Sequence, residues 1–149
     1  MAAESSATTV WQGDLAKGAG TTSPASGAFP DVPVSWASRT KRAAGKTSPE
    51  ELLAAAHAAC YCMALSHELA EAGTPPERLE ATATVAFEPG VGVQSSHLVV
   101  TGRVAGLDAD GFADAARRAG AGCPISGALR GNLEITVDAT LEQAETVGA

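Results

Sequence analysis

The stretch Ser48-Pro49-Glu50-Glu51-Leu52-Leu53-Ala54-Ala55-Ala56-His57-Ala58-Ala59-Cys60, which runs on through Tyr61-Cys62-Met63-Ala64-Leu65 toward Gly73, decides how this chain is read. Ser48 suits an N-cap, Pro49 the first helical position, and Glu51 the closing position of a capping box. Strong helix formers follow to Ala72, and Gly73 with Pro75 and Pro76 then stops the helix. Leu52, Leu53, Ala56, Cys60, Met63 and Ala64 recur at helical spacing. Alanines fill most remaining positions, so the middle is apolar nearly all round. A helix of that kind is central and covered on more than one side.

Working outward, the N-terminal flank reads as a hairpin. Thr8–Gln12 and Gly20–Ser23 make two strands, and Gly13-Asp14 opens the turn between them. Trp11 reads as a packing residue. Residues 23–33 are rich in Pro, Gly, Ser and Ala and read as loop. Val34–Trp36 reads as a short strand, followed by a dense basic segment with Arg39, Lys41, Arg42 and Lys46. On the other flank, Leu79, Ala81, Ala83, Val85 and Phe87 alternate with polar residues, as a half-buried strand does. His97–Ala105 is a second strand. Asp108 caps a helix through Phe112 and Ala119, which Gly120 and Gly122 break. Cys123-Pro124 opens a short helix through Leu129, and Leu133–Leu141 alternates as a final strand. The tail after Glu142 is expected to fray. The order β-β-α-β-β-α-β around a long helix is an α+β fold.

Composition narrows the function classes. The chain has 149 residues, 45% hydrophobic but only 4% aromatic, which suits one domain over 1–149 with its core at about 8–142. So light a core gains from oligomerisation. The net charge of −7 leaves no basic surface for nucleic acid or an anionic membrane. Met1–Thr9 lacks the basic and apolar regions of a secretion signal, and no apolar run is long enough to span a bilayer. A cytoplasmic location is expected.

Three cysteines in such a chain are packing residues, metal ligands or redox groups rather than a disulfide framework. Cys60 lies about three turns into the helix, beyond the reach of its dipole, so burial raises its pKa unless a cation stands nearby. Arg39 and Arg42 are the nearest source in sequence, and Glu50 could hold an arginine in a bidentate pair. Cys123, at an N-cap before Pro124, meets unpaired backbone N–H groups and is by local physics the more acidic thiol. Cys60-Tyr61-Cys62 lacks the spacing of a redox pair, and Cys62 reads as packing. His57 lies one turn before Cys60. A zinc site from His57, Cys60 and Cys123, or a His57–Cys60 hydrolase dyad, are alternatives to redox chemistry, although the paired spacing of structural zinc sites is missing. His67 and His97 read as surface or packing residues.

These segments resemble the OsmC/Ohr family of organic hydroperoxide reductases, and its osmotically inducible branch in particular. The resemblance rests on the helix stretch through Cys60 and Ser66 and on Gly122-Cys123-Pro124-Ile125-Ser126. Trp11-Gln12-Gly13-Asp14, Gly20-Thr21 and Ser26-Gly27 add to it, so that it runs from about Val10 to about Leu141. It implies an OsmC-like fold, with β-sheets around a long central helix, in an intertwined homodimer with two sites at the interface. It implies that Cys60 attacks an organic hydroperoxide, becomes a sulfenic acid and is resolved by Cys123, after which an external dithiol, a lipoylated protein or a small molecule, restores both. An arginine matching Arg39, with Arg42 as second candidate, would stabilise the Cys60 thiolate, and Glu50 would hold that arginine. The alanines and Met63 around Cys60 would line an apolar pocket. No cofactor or metal is implied. Cys62 departs from the family pattern and could form off-pathway disulfides. The competing reading is a non-catalytic domain of the same fold that binds a small molecule or partner.

Overall fold

The computed structural model describes residues 1–143, so the tail from 144, read above as frayed, lies outside the described residues. The elements run β1 (Ala7–Gln12), β2 (Ala19–Pro24), β3 (Val32–Val34), α1 (Trp36–Thr40), α2 (Pro49–Glu71), β4 (Arg78–Glu88), β5 (Gly92–Arg103), α3 (Ala109–Gly122), α4 (Pro124–Leu129) and β6 (Glu134–Leu141). The fold is α+β with two three-stranded sheets. The chain divides into two compact units, Met1–Leu52 and Leu53–Ala149.

In the first unit β1, β2 and β3 form an antiparallel sheet in that order. Trp36 does not end a strand, as the sequence suggested, but begins α1. Ser35 caps that helix: its hydroxyl accepts from the Ser38 N–H, and the Ser38 hydroxyl accepts from the Ser35 N–H. This reciprocal cap uses serine where glutamate or glutamine is the usual closing residue, so a five-residue helix passes unnoticed in the sequence. The first turn of α2 follows. The Ser48 hydroxyl accepts from the Glu51 N–H at 3.1 Å, as expected of the cap. The Glu51 carboxylate does not close the box. It accepts instead from the Thr47 hydroxyl at 2.8 Å.

In the second unit β4 and β5 are antiparallel, and β6 lies parallel to β5 on its other edge. A parallel neighbour needs a crossover, which α3 and α4 supply. β5 begins at Gly92, five residues before the predicted His97, because Val93, Gln94 and Ser95 complete the hairpin with β4 across a bulge at Ala86/Phe87. Asp108 caps α3 as predicted, accepting from the Gly111 N–H at 2.8 Å. Gly120 does not break that helix, which runs on to Gly122.

The core of this unit explains why α2 lies where it does. His57, Tyr61, Leu65 and Leu69, four residues apart, form one fully buried stripe. Tyr61, Leu65 and Leu69 pack with Leu98 and Val100 of β5 and Phe112, Ala115 and Ala119 of α3. Gly102 in β5 leaves room for the Phe112 ring, which lies 2.5 Å from where a Cβ would stand. The far side of α2 differs from the sequence expectation. Ala55, Ala56, Ala59 and Met63 are exposed, Met63 at 73%, so the chain's own residues cover one stripe of the helix rather than its whole circumference.

Candidate active site

Two groups of chemistry-bearing residues emerge, one in each unit. In the first, Arg39 at the end of α1 meets Glu50 in the first turn of α2. Its Nε and Nη2 both donate to Glu50 Oε1 at 2.8 Å. The pair was expected as a bidentate fork, with one oxygen for each nitrogen. Both nitrogens instead converge on a single oxygen, and Glu50 Oε2 is buried without a hydrogen-bond partner among the described residues. Glu50 is only 7% exposed. The guanidinium carbon also lies 5.7 Å from the Trp36 ring centroid, within cation–π range. Arg42 is exposed in the following loop, so the arginine that Glu50 holds is Arg39.

Arg39 borders a cavity of about 290 Å³ whose wall includes Trp11, Leu15, Val34, Trp36 and Leu52. Trp11 is therefore a wall residue, 39% exposed, whose Nε1–H donates to the Gly13 carbonyl. Met63 was expected beside an apolar pocket at Cys60. It lines a different hollow, with Cys62, Ser66 and His67.

The second group lies wholly in the second unit. Cys60 on α2 and Cys123, the N-cap of α4, bring their sulfurs to 3.3 Å across 63 residues of sequence. Both are thiols in this structure, and the gap exceeds a disulfide bond by only about 1.3 Å. Cys60 is half-buried, whereas Cys123 is 1% exposed. Burial raises the Cys60 pKa, the Ile125 backbone N–H partly offsets that, and the Cys123 sulfur raises it further. Burial pushes Cys123 up as well. Its cap donors outweigh that push: the Ser126 backbone N–H, the Ser126 hydroxyl, the Cys60 sulfur and the Ile125 N–H hold it below its ordinary value. The two shifts run in opposite directions and make Cys123 the more acidic thiol of the pair, which agrees with the local reading of the sequence. Cys62 is half-buried, and burial raises its pKa too.

His57 is fully buried and has both ring nitrogens engaged. Nδ1 lies 2.6 Å from the Ser96 hydroxyl of β5 and Nε2 lies 2.8 Å from the Ser126 hydroxyl of α4. Burial lowers its pKa. Its partners are serines rather than Cys60, so the ring is not arranged as a hydrolase dyad. Sequence reasoning missed both serines. Ser126 carried a signal, three residues after the capping cysteine. Ser96 carried one too, as a polar residue on the inward face of β5 with Leu98 and Val100. His67 is exposed, and His97 pairs with Asp138 at 3.1 Å, so both are peripheral as read.

A family model described as OsmC-like protein matches residues 42–138, a span that contains Glu50, Cys60 and Cys123 but begins after Arg39. The chain is 40% identical over 135 residues to the peroxiredoxin OsmC of Escherichia coli (strain K12), across 89% of this chain and 92% of that one. The backbone is similar to an OsmC-like protein from Mycoplasma pneumoniae, with a TM-score of 0.74 at 18% identity over 96% of this chain and 100% of that one. It is also similar to an organic hydroperoxide resistance protein OsmC from Legionella pneumophila, with a TM-score of 0.67 at 21% identity over 91% and 96% of the two chains. A family match over well more than half of the sequence, and a relative aligned along nearly all of it, place this chain in the OsmC-like family.

Proposed function

We propose that this protein is a thiol peroxidase that reduces organic hydroperoxides to alcohols. The observation that supports this most directly is the 3.3 Å approach of two thiols, one half-buried and one enclosed. The peroxiredoxin named among its relatives supports the same chemistry. Cys60 is the sulfur a substrate can reach, so it takes the attacking role. Its thiolate displaces alkoxide from the O–O bond and becomes a sulfenic acid, and the alkoxide takes up a proton to leave as alcohol. Cys123 then displaces the sulfenic oxygen as water and closes a Cys60–Cys123 disulfide, which an external dithiol, a lipoylated protein or a small molecule, reopens.

This assignment needs a charge that the thiol pair does not supply. Burial holds Cys60 up and the cap favours charge on Cys123. A permanent cation at Cys60 would move the shared charge onto the attacking sulfur. Arg39 is the proposed cation, with Glu50 as the residue that orients it. The working form is proposed to be a homodimer of single-domain chains in the cytoplasm. Each unit presents apolar residues that a second copy would cover: Met63 and its neighbouring alanines on α2 in the second, and Val10, Leu15 and Phe29 in the first. Among the described residues no helix is long and apolar enough to cross a membrane. The test is turnover with dihydrolipoamide as reductant. Tert-butyl and lipid hydroperoxides should be consumed faster than hydrogen peroxide, and equal or better use of hydrogen peroxide would remove the organic preference.

A further inference from the structure

His57 is a buried ionisable side chain that the scheme above leaves unused. It lies on α2 one turn before Cys60, and its two ring nitrogens bond Ser96 and Ser126. Ser126 is the residue whose backbone N–H caps the Cys123 sulfur at 3.5 Å and whose hydroxyl also supports that sulfur. Three side chains from three elements thus line up behind one thiol: Ser96 of β5, His57 of α2 and Ser126 of α4. All three are buried, with 0%, 0% and 1% exposure. A buried serine hydroxyl has a single proton, so the direction in which it donates is set by its neighbours. When Cys123 is a thiolate, Ser126 donates to sulfur and accepts from His57 Nε2–H, while Ser96 donates to Nδ1. When Cys123 is a thiol, each of these bonds can reverse. A neutral imidazole, the form that burial favours, serves both arrangements because it offers one donor and one acceptor.

We propose that Ser126 and His57 form a proton relay for the resolving step, in which Ser126 is catalytic and His57, acting through it, is the positioning residue. The inference rests on the reading of Cys123 as the resolving thiol. In that step a lone pair of the Cys123 sulfur forms the S–S bond to Cys60, and the Cys60 S–O bond breaks with its electron pair leaving on oxygen. The Cys123 proton passes to Ser126 Oγ while the Ser126 proton passes to His57 Nε2. The reverse movement returns a proton to the departing hydroxide, which leaves as water. Thiol and sulfenic acid thereby give disulfide and water with no co-reactant.

The test is a single turnover of the full-length protein with one equivalent of tert-butyl hydroperoxide, in water and in deuterium oxide. Peroxide loss reports the first step, and mass spectrometry of quenched samples reports sulfenic acid and disulfide. Ser126→Ala should slow disulfide closure by about tenfold or more, far more than it slows peroxide loss, so that Cys60 sulfenic acid accumulates. The parent should show a solvent isotope effect on closure that Ser126→Ala abolishes. Misplacement of Cys123 alone would slow closure without removing that effect. His57→Gln should act in the same direction, and Ser126→Ala carries the test if that variant does not fold. Closure at the parental rate in Ser126→Ala, or an isotope effect that persists in it, would overturn the relay and leave the peroxidase reading intact. Absence of any Cys60–Cys123 disulfide in the parent would overturn the peroxidase reading and the relay with it.

Discussion

The two groups of reactive residues stabilise charge in opposite ways. Around Arg39 and Glu50 the work is done by formal charges, in a unit whose β1 strand is exposed along its length. Around Cys60, Cys123, Ser126 and His57 the hydrogen-bond partners are uncharged. Hydroxyls, backbone N–H groups and a neutral ring act there, enclosed by Tyr61, Leu98 and Phe112. Oriented dipoles in a dry, packed setting hold a thiolate without needing to move, and they favour the enclosed sulfur, Cys123. An arginine keeps its charge in any surroundings and can shift that preference to a sulfur open to substrate. Under the proposed function the packed region would hold the resolving thiol, and the attacking thiol would need a cation that the packed region lacks.

The largest expected effect breaks the thiol pair itself. Cys60→Ser should show no turnover. Cys123→Ser should consume about one peroxide per chain and stall with Cys60 oxidised. Mass spectrometry of the parent after one equivalent of peroxide should show Cys60 joined to Cys123. A bridge to Cys62 as the main product would sink the pairing.

A second prediction contrasts the packing of the two regions. Leu65 is fully buried in the core of the second unit, whereas Leu15 is 59% exposed in the first. Leu65→Ala should lose about 2–5 kcal/mol of stability, from lost transfer energy and the cavity left behind. Leu15→Ala should change stability by no more than about 0.5 kcal/mol at concentrations where the chain is monomeric, and by more where the homodimer covers this surface. Urea unfolding of both variants measures the difference. A loss at Leu15 approaching that at Leu65 would mean that a second copy buries the first unit's apolar surface.

How much of this was legible in the sequence follows from how local each feature is. The helix over Pro49–Glu71 declared itself within four residues at its start, because a cap, a proline and two carboxylates agree there. The pairing of β6 beside β5 did not, since parallel register depends on a crossover that no short pattern encodes. The start of β5 was lost because Gln94, Ser95 and Ser96 look like loop until Ser96 is seen bonding His57. Local physics alone distinguished Cys123 as the more acidic thiol. The juxtaposition with Cys60 came only from the family likeness, as contacts across 63 residues leave no periodicity to read. His57 was legible as a chemical group but not as a neutral one, because its partners lie 39 and 69 residues away.

The third prediction concerns the charged region. In a background with Cys62 and Cys123 changed to serine, Arg39→Ala should raise the Cys60 pKa by about one unit, or ~1.4 kcal/mol, read from the pH dependence of alkylation. Peroxide reaction at neutral pH should slow about tenfold. Glu50→Ala should act the same way more weakly, by releasing the arginine. Arg42→Ala should leave the profile in place, since Arg42 is exposed and Glu50 is held by Arg39. A shift in Arg42→Ala with none in Arg39→Ala would transfer the role.

The smallest expected effect belongs to the neutral region and appears as a slope. Burial lowers the His57 pKa below its ordinary 6.5, so between those two values the unfolded chain binds a proton that the folded chain does not. Stability from the neutral ring is therefore complete above pH 6.5 and falls as the pH drops from 6.5 toward the folded-state pKa. One such group changes unfolding free energy by at most about 1.4 kcal/mol per pH unit. Carboxylates titrate mainly below about pH 5, and the part of the slope just under pH 6.5 that His57→Gln removes is the share of this ring. Urea unfolding of the parent across that window should show stability rising with pH. His57→Gln, although less stable throughout, should show a flatter line. Parallel lines would mean that the ring does not stay neutral in the folded protein, and the division between a charged region and a neutral one would fail at its most buried residue.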